Sequence, residues 1–468
     1  MTLALWPEYA VVLGVLATML AGMVSRERTI WGYWTTLAAL AASGVFTIIL
    51  WASGSLPRSL LHGGLSIDAF SMAVNGLVLV AAAGALLIGW NDRRYGGDFP
   101  ILVLLALLGM MVLGMANNFI ALFIGIEMLS LPLYILAASG GEGLSTEAGL
   151  KYLLLGAFSS GTLLFGLALL YGAAGTMVIT AVVSPHLILP LAGAGLALTL
   201  VGLIFKLGIV PFHMWIPDVY EGSPLPVTTY MAFGTKVGAA AILMRFLFFG
   251  FSLASGWWGP AIGYLAVLTM IAGNLIALAQ KDMKRLLAYS GIANAGYLLV
   301  GIAAHNMLGA QALLFYLLPY GLSILAAFAV LAFVAGDEES VSLDQLTGLY
   351  QRSPGLAAGM AVAFLSLAGI PLTGGFVGKF YLLQAAWAAH EPGLAVGLVV
   401  AAMIGLAAYI RPLQRSFSAV DGTPAPIRWP LAGAIVLVIS VIGTIGLGVY
   451  PAPVVHIVNH SAAFYWLH

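Results

Sequence analysis

The chain has 468 residues, of which 62% are hydrophobic and 7% are charged, and its mean hydropathy is +1.06. These values lie outside the range of soluble globular proteins and indicate a polytopic membrane protein. The formal net charge is zero, so no basic face for nucleic acid is expected. Because the chain contains no cysteine, disulfides, iron–sulfur clusters and thiolate chemistry are excluded within it.

Apolar runs of about 20 residues predict the membrane spans in chain order. The sequence contains about fourteen such runs, and no remaining stretch is long enough for a soluble domain. The first run carries Glu8 and lacks the basic flank of a signal peptide, so we expect it to be retained. We predict one all-α integral membrane domain over 1–468, with spans at 5–24, 31–52, 67–90, 100–117, 118–139, 150–174, 187–216, 225–250, 258–279, 286–304, 308–335, 355–388, 393–412 and 430–450.

Two of these spans contain residues that break helices. FKLGIVPFHMWIPD in the seventh span includes Pro211 and Pro217, and SLAGIPLTGGFVGKF in the twelfth includes Pro371. Proline removes a backbone hydrogen bond and clashes with the preceding turn. Irregular backbone at membrane depth is tolerated only where protein or a water-filled cavity surrounds it. We therefore predict that helices 7 and 12 are discontinuous and that both border water.

The related fragments GIVP and GIP lie five spans apart, which suggests an internal repeat. Because five is odd, units made of spans 4–8 and 9–13 would have opposite topologies, as in many transporters. The expected organisation is two inverted five-helix repeats between three N-terminal helices and one last helix. The corresponding ranges are 1–99, 100–250, 258–412 and 430–450.

The basic loop residues fall almost entirely on one side of the predicted membrane, and at most Arg58 and Arg245 lie on the other. An excess of Lys and Arg marks the cytoplasmic side. An even number of spans then places both termini in the periplasm of a bacterial inner membrane; an organellar inner or thylakoid membrane is the alternative. The basic side holds Arg26, Arg28, Arg93, Arg94, Lys151, Lys281, Lys284, Arg285, Arg352, Arg411, Arg415 and Arg428.

Four charged residues remain at predicted membrane depth: Glu127, Lys206, Lys236 and Lys379. Each such group costs about 2.5 to 3.5 kcal/mol on insertion scales, so a functional role is the default interpretation. Burial disfavours the charged form of either group, and pairing restores it. A lysine with a movable glutamate partner can therefore switch its proton on and off, which arginine cannot do. The alternative is that each charge only satisfies a neighbour between helices.

Three further residues are candidates for supporting roles. His213 lies in the interrupted seventh span and either lines a water path or packs beside Trp215. Lys151 lies near Glu147, so a surface ion pair and a supporting functional role are both open. His305, near the end of a span, is a similar case.

Four segments carry a family resemblance over nearly the whole chain: GIEMLSLPLYIL, FKLGIVPFHMWIPDVYEGSP, QKDMKRLLAYSGIANAGY and SLAGIPLTGGFVGKFYL. In sequence and order they resemble the antiporter-like membrane subunits of respiratory complex I, which are related to subunits of multisubunit sodium–proton antiporters. The run VYEG at 219–222 favours one subunit type within this family, because the larger sister subunits and the antiporter proteins usually have an alanine- and histidine-richer run there.

The resemblance implies a proton-pumping axis made of a helix-five glutamate, a helix-seven lysine, a helix-eight lysine and a helix-twelve lysine or glutamate. These match Glu127, Lys206, Lys236 and Lys379. It also implies that the chain binds no cofactor or metal and that FMN, iron–sulfur clusters and quinone lie in partner subunits of NADH-quinone oxidoreductase. The expected assembly is a hetero-oligomer with a neighbouring antiporter-like subunit, small membrane subunits and lipids.

Three hypotheses about function follow from the sequence. The first is a proton-translocating subunit of complex I or of its ferredoxin-driven relatives, in which quinone reduction elsewhere drives pumping. The second is a subunit of a stand-alone cation–proton antiporter, which would share the axis without redox coupling. The third is a passive scaffold whose charges only hold helices together.

Overall fold

The computed structural model describes residues 2–24, 28–54, 56, 58–90, 97–141, 143–183, 187–336, 338, 340–421 and 425–463. It is a bundle of α-helices, which confirms the predicted all-α polytopic fold. One small departure is an antiparallel hairpin between β1 (Arg58–Leu60) and β2 (Leu65–Ile67), with Arg58 opposite Ile67. Arg26, Arg93 and Arg94 of the predicted basic side lie outside the described residues.

The described residues of the first half of the chain form ten α-helices. Their bounds are α1 Trp6–Val24, α2 Arg28–Ala52, α3 Ala69–Ile88, α4 Phe99–Met115, α5 Phe119–Ala137, α6 Leu144–Ala174, α7 Leu189–Leu207, α8 Trp215–Gly222, α9 Leu225–Tyr230 and α10 Lys236–Arg245. Two π-helical segments, Met231–Thr235 and Phe246–Gly250, flank α10.

In the second half, the part that the structure describes forms nine more α-helices. Their bounds are α11 Ser255–Ala279, α12 Met283–Ala303, α13 Met307–Ala335, α14 Leu349–Arg352, α15 Pro354–Ala368, α16 Gly374–Ala388, α17 Pro392–Phe417, α18 Leu431–Val449 and α19 Ala452–Ala463. Short 3₁₀ turns occur at Thr2–Leu5, Ile179–Ala181, Ser252–Ala254 and Leu343–Leu346.

Within the described part of the chain, twelve helical segments are long and apolar enough to cross a membrane, and α4 and α15 are shorter apolar helices. These segments fall in the regions of the predicted spans. The number fourteen stays a prediction, because length and composition do not establish how many helices cross.

Both predicted interruptions are present, and their local geometry is the same. The helix α7 ends at Gly208 and α15 ends at Gly369, and both glycines have φ of +85°. This left-handed conformation is open to glycine and closes a helix by returning the next N–H groups to the last turn. Accordingly, Ile209 N donates to Ile204 O at 3.0 Å, and Ile370 N donates to Leu365 O at 2.9 Å. The larger inverted repeat stays a prediction.

The central helices α10, α12 and α13 are the most deeply buried, whereas α1, α2, α6 and α18 expose apolar side chains outward. Small residues let neighbouring backbones approach closely, as is usual between membrane helices. At Gly273 of α11, for example, an added Cβ would lie 2.6 Å from the backbone nitrogen of Ala293 in α12. The charged residues at membrane depth are positioned by this tightly packed centre.

Arg245 corrects the sequence interpretation, which placed it in a loop. Its side chain is buried at the end of α10, and Nη2 donates to both carboxylate oxygens of Asp68, at 3.0 and 2.9 Å. Its Nε also donates to Gly114 O at 3.1 Å. Asp68 in turn caps α3 by accepting from Ser71 N at 2.8 Å. The arginine therefore fastens α10 to α3 and α4 and gives no information about orientation.

Removing one partner of this buried pair is expected to destabilise the protein more than removing both. Arg245→Met leaves the Asp68 carboxylate buried without its countercharge, at a cost of about 3 to 5 kcal/mol. Thermal unfolding in detergent should show a large loss for Arg245→Met and partial recovery when Asp68→Asn is added. Arg415→Met is the matched control, since the Arg415–Asp344 pair is exposed and should be worth about 1 kcal/mol or less. Strictly additive losses would contradict the pairing.

Lys284, assigned by sequence to a basic loop, is also buried, and its Nζ donates to Ser223 O at 3.0 Å.

Lys281 is the exposed residue of that loop, and Leu253 is 89% exposed in the preceding loop. Consecutive loops lie on opposite sides if α11 crosses the membrane. With the predicted orientation, an impermeant thiol reagent added to intact cells should label Leu253→Cys and should label Lys281→Cys only after permeabilisation. The reverse pattern would invert the orientation; the cysteine-free chain supplies the unlabelled background.

Candidate functional site

The four charged residues predicted at membrane depth lie on four helices. Glu127 is in α5, Lys206 in the last turn of α7, Lys236 at the start of α10, and Lys379 in the second turn of α16. All three lysine side chains are buried, whereas Glu127 is half-buried. In the part of the chain that the structure describes, none of the three lysines makes an ion pair. Each ammonium group must therefore be satisfied by neutral groups.

Lys206 lies in an aromatic pocket. Its Nζ donates to the Tyr152 hydroxyl at 3.3 Å and lies 5.0 and 5.5 Å from the ring centroids of Tyr152 and Tyr134. The Tyr152 ring stacks on Trp215 at 4.5 Å, and the Trp215 indole N–H donates to Phe205 O at 3.1 Å. Trp215 begins α8, so the residue after the break fixes the ring that contacts the lysine. Aromatic faces attract a cation without neutralising its charge.

Glu127 lies apart from Lys206 in this arrangement. Its Oε1 accepts a hydrogen bond from the Ser160 hydroxyl at 2.5 Å, which ties α5 to α6. Among the described residues Glu127 and Lys206 do not form a contact ion pair. The Glu127 carboxylate thus has a neutral hydrogen-bond partner, Ser160, in the arrangement in which it is separated from Lys206.

Lys236 and Lys379 share a different kind of contact, with backbone carbonyls at the ends of the broken helices. Lys236 Nζ donates to Leu207 O at 3.2 Å, where α7 ends. Lys379 Nζ donates to Leu367 O at 2.6 Å and to Ala368 O at 3.2 Å, where α15 ends. The last carbonyls of a helix lack intrahelical donors and carry the negative end of its dipole. Each break therefore supplies a neutral acceptor for one buried ammonium group.

Comparison with known proteins identifies the family to which this chain belongs. The sequence profile described as NADH:quinone oxidoreductase/Mrp antiporter, TM matches residues 116–405. The chain belongs to this family. The match spans α5 to α17 and includes all four charged residues, and it confirms the resemblance inferred from the four sequence segments.

Relatives of the family with high coverage share the subunit type. The NADH-quinone oxidoreductase subunit N of Desulforamulus reducens is 37% identical over 470 residues, covering 98% of both chains. The subunit N of Chloroflexus aggregans is 39% identical over 453 residues, covering 93% of this chain and 91% of the relative.

Solved structures of the family agree with the fold. A chain of respiratory complex I from Thermus thermophilus with bound aureothin is 36% identical, with a TM-score of 0.85 and coverage of 96% of this chain and 98% of that one. A chain of the Mrp complex from Dietzia sp. DQ12-45-1b has a TM-score of 0.89 and covers 100% and 98%, but at 23% identity it shows the fold alone.

A buried polar cluster that sequence reasoning missed lies between Lys236 and Lys379. We call it the tyrosine–asparagine cluster; it comprises Asn294, Tyr297, Tyr316 and Tyr320. At its Lys236 end, a Cβ added to Gly291 would lie 3.3 Å from Lys236 Cε and 3.5 Å from the Tyr320 hydroxyl. The Tyr320 ring is 6.4 Å from that of Tyr316. The absence of a side chain at Gly291 therefore leaves room for the Lys236 side chain and the Tyr320 hydroxyl beside α12.

At the other end of the cluster, the Tyr316 hydroxyl donates to Asn294 Oδ1, and its ring lies 6.3 Å from that of Tyr297. The Tyr297 ring centroid is 4.4 Å from Lys379 Nζ. Asn294 Nδ2 also donates to Ser290 O at 2.8 Å. Tyrosines at these spacings in an apolar helix are typical of packing, so the sequence alone does not indicate this cluster. The hydroxyl and amide contacts between helices reveal it.

Lys151 lies in an exposed charge network. Its Nζ contacts Glu147 at 2.7 Å, the surface pair considered from sequence, and Asp218 at 2.8 Å. Asp218 also accepts from Arg285 at 2.9 Å, and Arg285 contacts Glu221 at 2.5 Å. Partial burial opposes ionisation of Asp218, but the hydrogen bonds from Lys151 and Arg285 outweigh it and lower the Asp218 pKa. The network joins α6, α8 and α12 just after the break in helix 7.

The two candidate histidines differ in their surroundings. His213 is half-buried in the irregular segment between α7 and α8, and its buried Nδ1 has no hydrogen-bond partner among the described residues. His305 has φ of +42°, contacts Ser252 Oγ at 3.2 Å, and packs edge-on against Phe248 and Trp258. The hydrogen bonds described for Lys206, Lys236 and Lys379 go to other groups than these two histidines. Among the residues searched, no group of three or more acidic, histidine or cysteine side chains could hold a metal ion.

Proposed function

We propose that the chain is a proton-translocating membrane subunit of an NADH-quinone oxidoreductase, of the type that its relatives are named for, subunit N. The observation that carries this proposal is the set of three buried lysines held by neutral groups, with Glu127 at one end. A buried ammonium group without a countercharge is costly in a low-dielectric interior. Such a group exchanges its proton readily when a carboxylate or water approaches or leaves.

In this proposal the chain contributes to the enzyme complex without a redox centre of its own. Quinone reduction occurs in partner subunits, which hold FMN, the iron–sulfur clusters and quinone. The chain couples that reaction to proton movement along the axis Glu127, Lys206, Lys236 and Lys379. Both termini lie on the periplasmic side of a bacterial inner membrane.

The first proposed step is a change in the distance between Glu127 and Lys206. When Glu127 leaves Ser160 and approaches Lys206, its charge stabilises the protonated lysine. When it returns to Ser160, the lysine keeps only the Tyr152 hydroxyl and the aromatic faces and releases its proton toward Lys236. Because the groups interact, they titrate as a coupled set.

The second proposed step joins Lys236 to Lys379 through the tyrosine–asparagine cluster. Tyr320, Tyr316 and Asn294 supply hydroxyl and amide groups that orient water between the two lysines. The carbonyl oxygens of Leu207 and Ala368 accept hydrogen bonds from Lys236 and Lys379, respectively, whether the amine is protonated or neutral. Lys379 is the terminal proton donor, and Lys151, His213 and His305 have supporting roles.

The surface of the chain supports assembly with partner subunits and lipids. Pro211 and Leu372, which belong to the two helix breaks, are exposed. Glu127 is only half-buried beside the exposed apolar residues Ile124 and Leu131. Irregular backbone and a carboxylate at membrane depth need cover by protein or contact with water. We infer that neighbouring membrane subunits cover both regions.

A stand-alone cation–proton antiporter is the second candidate, because the Mrp chain has the same fold. Solubilising the membrane in mild detergent and identifying what co-purifies distinguishes the two. Recovery of hydrophilic flavin and iron–sulfur subunits, with NADH-driven proton uptake after reconstitution, supports the complex I assignment. Recovery of small membrane subunits alone would favour the antiporter. Normal pumping in variants lacking the axis charges would favour a passive scaffold.

Glu127→Gln and Lys206→Met should each strongly reduce proton pumping in the assembled complex. If the residues act as a pair, the double variant should lose much less than the sum of the two losses. Lys206→Arg should also fail, because arginine retains its proton. The matched controls are Glu391→Gln and Lys281→Met, which change the same groups at exposed positions. Additive losses in the double variant would argue against direct coupling.

Lys379→Ala should leave assembly near normal and clearly reduce pumping or coupled quinone reductase turnover. The reason is that Lys379 has no ion pair to lose in the described structure, so its removal affects proton transfer more than folding. Lys379→Glu should retain part of the activity, because a carboxylate can also take up and release a proton. Native gel electrophoresis and proton uptake measure the two effects, with Lys281→Ala as control. Unchanged pumping stoichiometry in Lys379→Ala, or loss caused only by failed assembly, would mean that the axis ends elsewhere, with His305 the next residue to test.

A further inference from the structure

A cavity of about 790 Å³ lies where α3 and α13 end and α2 and α18 begin, on the side that the sequence predicts to be basic. Most of its wall is apolar and aromatic. Trp34 and Leu37 of α2, Trp90 after α3, Phe333 of α13 and Ile435 of α18 line it. The rings of Trp34 and Trp90 meet edge to face at 5.0 Å. Tryptophans are enriched where a membrane meets water, so this position fits the interface between headgroups and acyl chains.

One end of the cavity is positively charged. Arg428 lines it, is exposed, and makes no ion pair or hydrogen bond with the residues that the structure describes. Among the lining residues that the structure describes, one carries a carboxylate, Glu338, which accepts a hydrogen bond from Gln345 at 2.5 Å. The start of α18 also faces the cavity, and its cap residue Pro430 offers no side-chain acceptor to the first N–H groups. An exposed guanidinium beside an apolar wall is complementary to a ligand with one anionic end and one hydrocarbon end.

We propose that this cavity binds an anionic phospholipid. The phosphate lies at Arg428 near the start of α18, and the acyl chains lie along the apolar wall. The exposed Arg428 guanidinium favours a headgroup with net negative charge over a zwitterionic one, whose own cation would face Arg428. A soluble anion is disfavoured as the occupant, because it would leave the apolar wall in contact with water.

The test uses the chain in its native complex, reconstituted into phosphatidylcholine vesicles. The vesicles contain a trace of phosphatidylglycerol with a photoactivatable acyl chain, and crosslinks are mapped by mass spectrometry to α2 and α18. A phosphatidylcholine probe with the same acyl chain should label these helices much less. Arg428→Gln should reduce phosphatidylglycerol labelling about fivefold, the change expected for one basic residue at an anionic surface. Arg415→Gln removes an exposed arginine that does not line the cavity and should leave labelling unchanged.

A second variant tests the cavity itself. Leu37→Trp fills the apolar wall without changing charge and should reduce crosslinking to α18, while assembly on a native gel stays normal. Equal labelling by the two probes, or unchanged labelling in Arg428→Gln or in Leu37→Trp, would overturn the proposal. Loss of labelling when excess inorganic phosphate is added would show a phosphate site instead and would also overturn it.

Discussion

The structure depends on how a membrane protein satisfies two kinds of polar group in a medium without water. A buried ammonium group needs acceptors, and the last carbonyls of an interrupted helix need donors. In this chain each need is met by the other. Lys236 donates to the end of α7, and Lys379 donates to the end of α15. The breaks in helices 7 and 12 and the lysines that contact them therefore depend on each other. The proline and glycine residues expose the carbonyl groups, and the lysines donate hydrogen bonds to them.

Lys206 has a different arrangement, because it belongs to the helix that breaks. Its side chain leaves α7 one residue before the end and contacts Tyr152, whose ring Trp215 supports from the far side of the break. A hydroxyl and aromatic faces stabilise the ammonium less completely than two aligned carbonyls. We therefore propose that the protonation of Lys206 depends more on a mobile partner than that of the other two lysines. In the proposed mechanism Glu127 is this partner.

Sequence reasoning was most successful where a local rule was decisive. Proline and glycine predicted both interruptions, and long apolar runs predicted the helices. The cost of charge in lipid selected the lysines, whose role stays a prediction. It failed where the partner is distant in sequence. Arg245 and Asp68 are 177 residues apart, so the arginine was taken for a loop residue. Lys284 was misplaced for the same reason, and the tyrosine–asparagine cluster was missed because tyrosines in apolar helices usually indicate packing.

The contrast between Arg245 and the three buried lysines bears on whether the charges are only structural. Where this chain needs a permanent internal link, it uses arginine, which keeps its proton, and gives it a carboxylate with two hydrogen bonds. Where Lys206, Lys236 and Lys379 lie at comparable burial, it uses the residue that can release a proton, and the hydrogen-bond acceptors of these lysines among the described residues are neutral oxygens. A scaffold would gain from pairing those lysines as Arg245 is paired. The proposed function accounts for the choice of lysine and for the lack of a fixed countercharge in the described structure, because a permanent carboxylate would hold the proton in place.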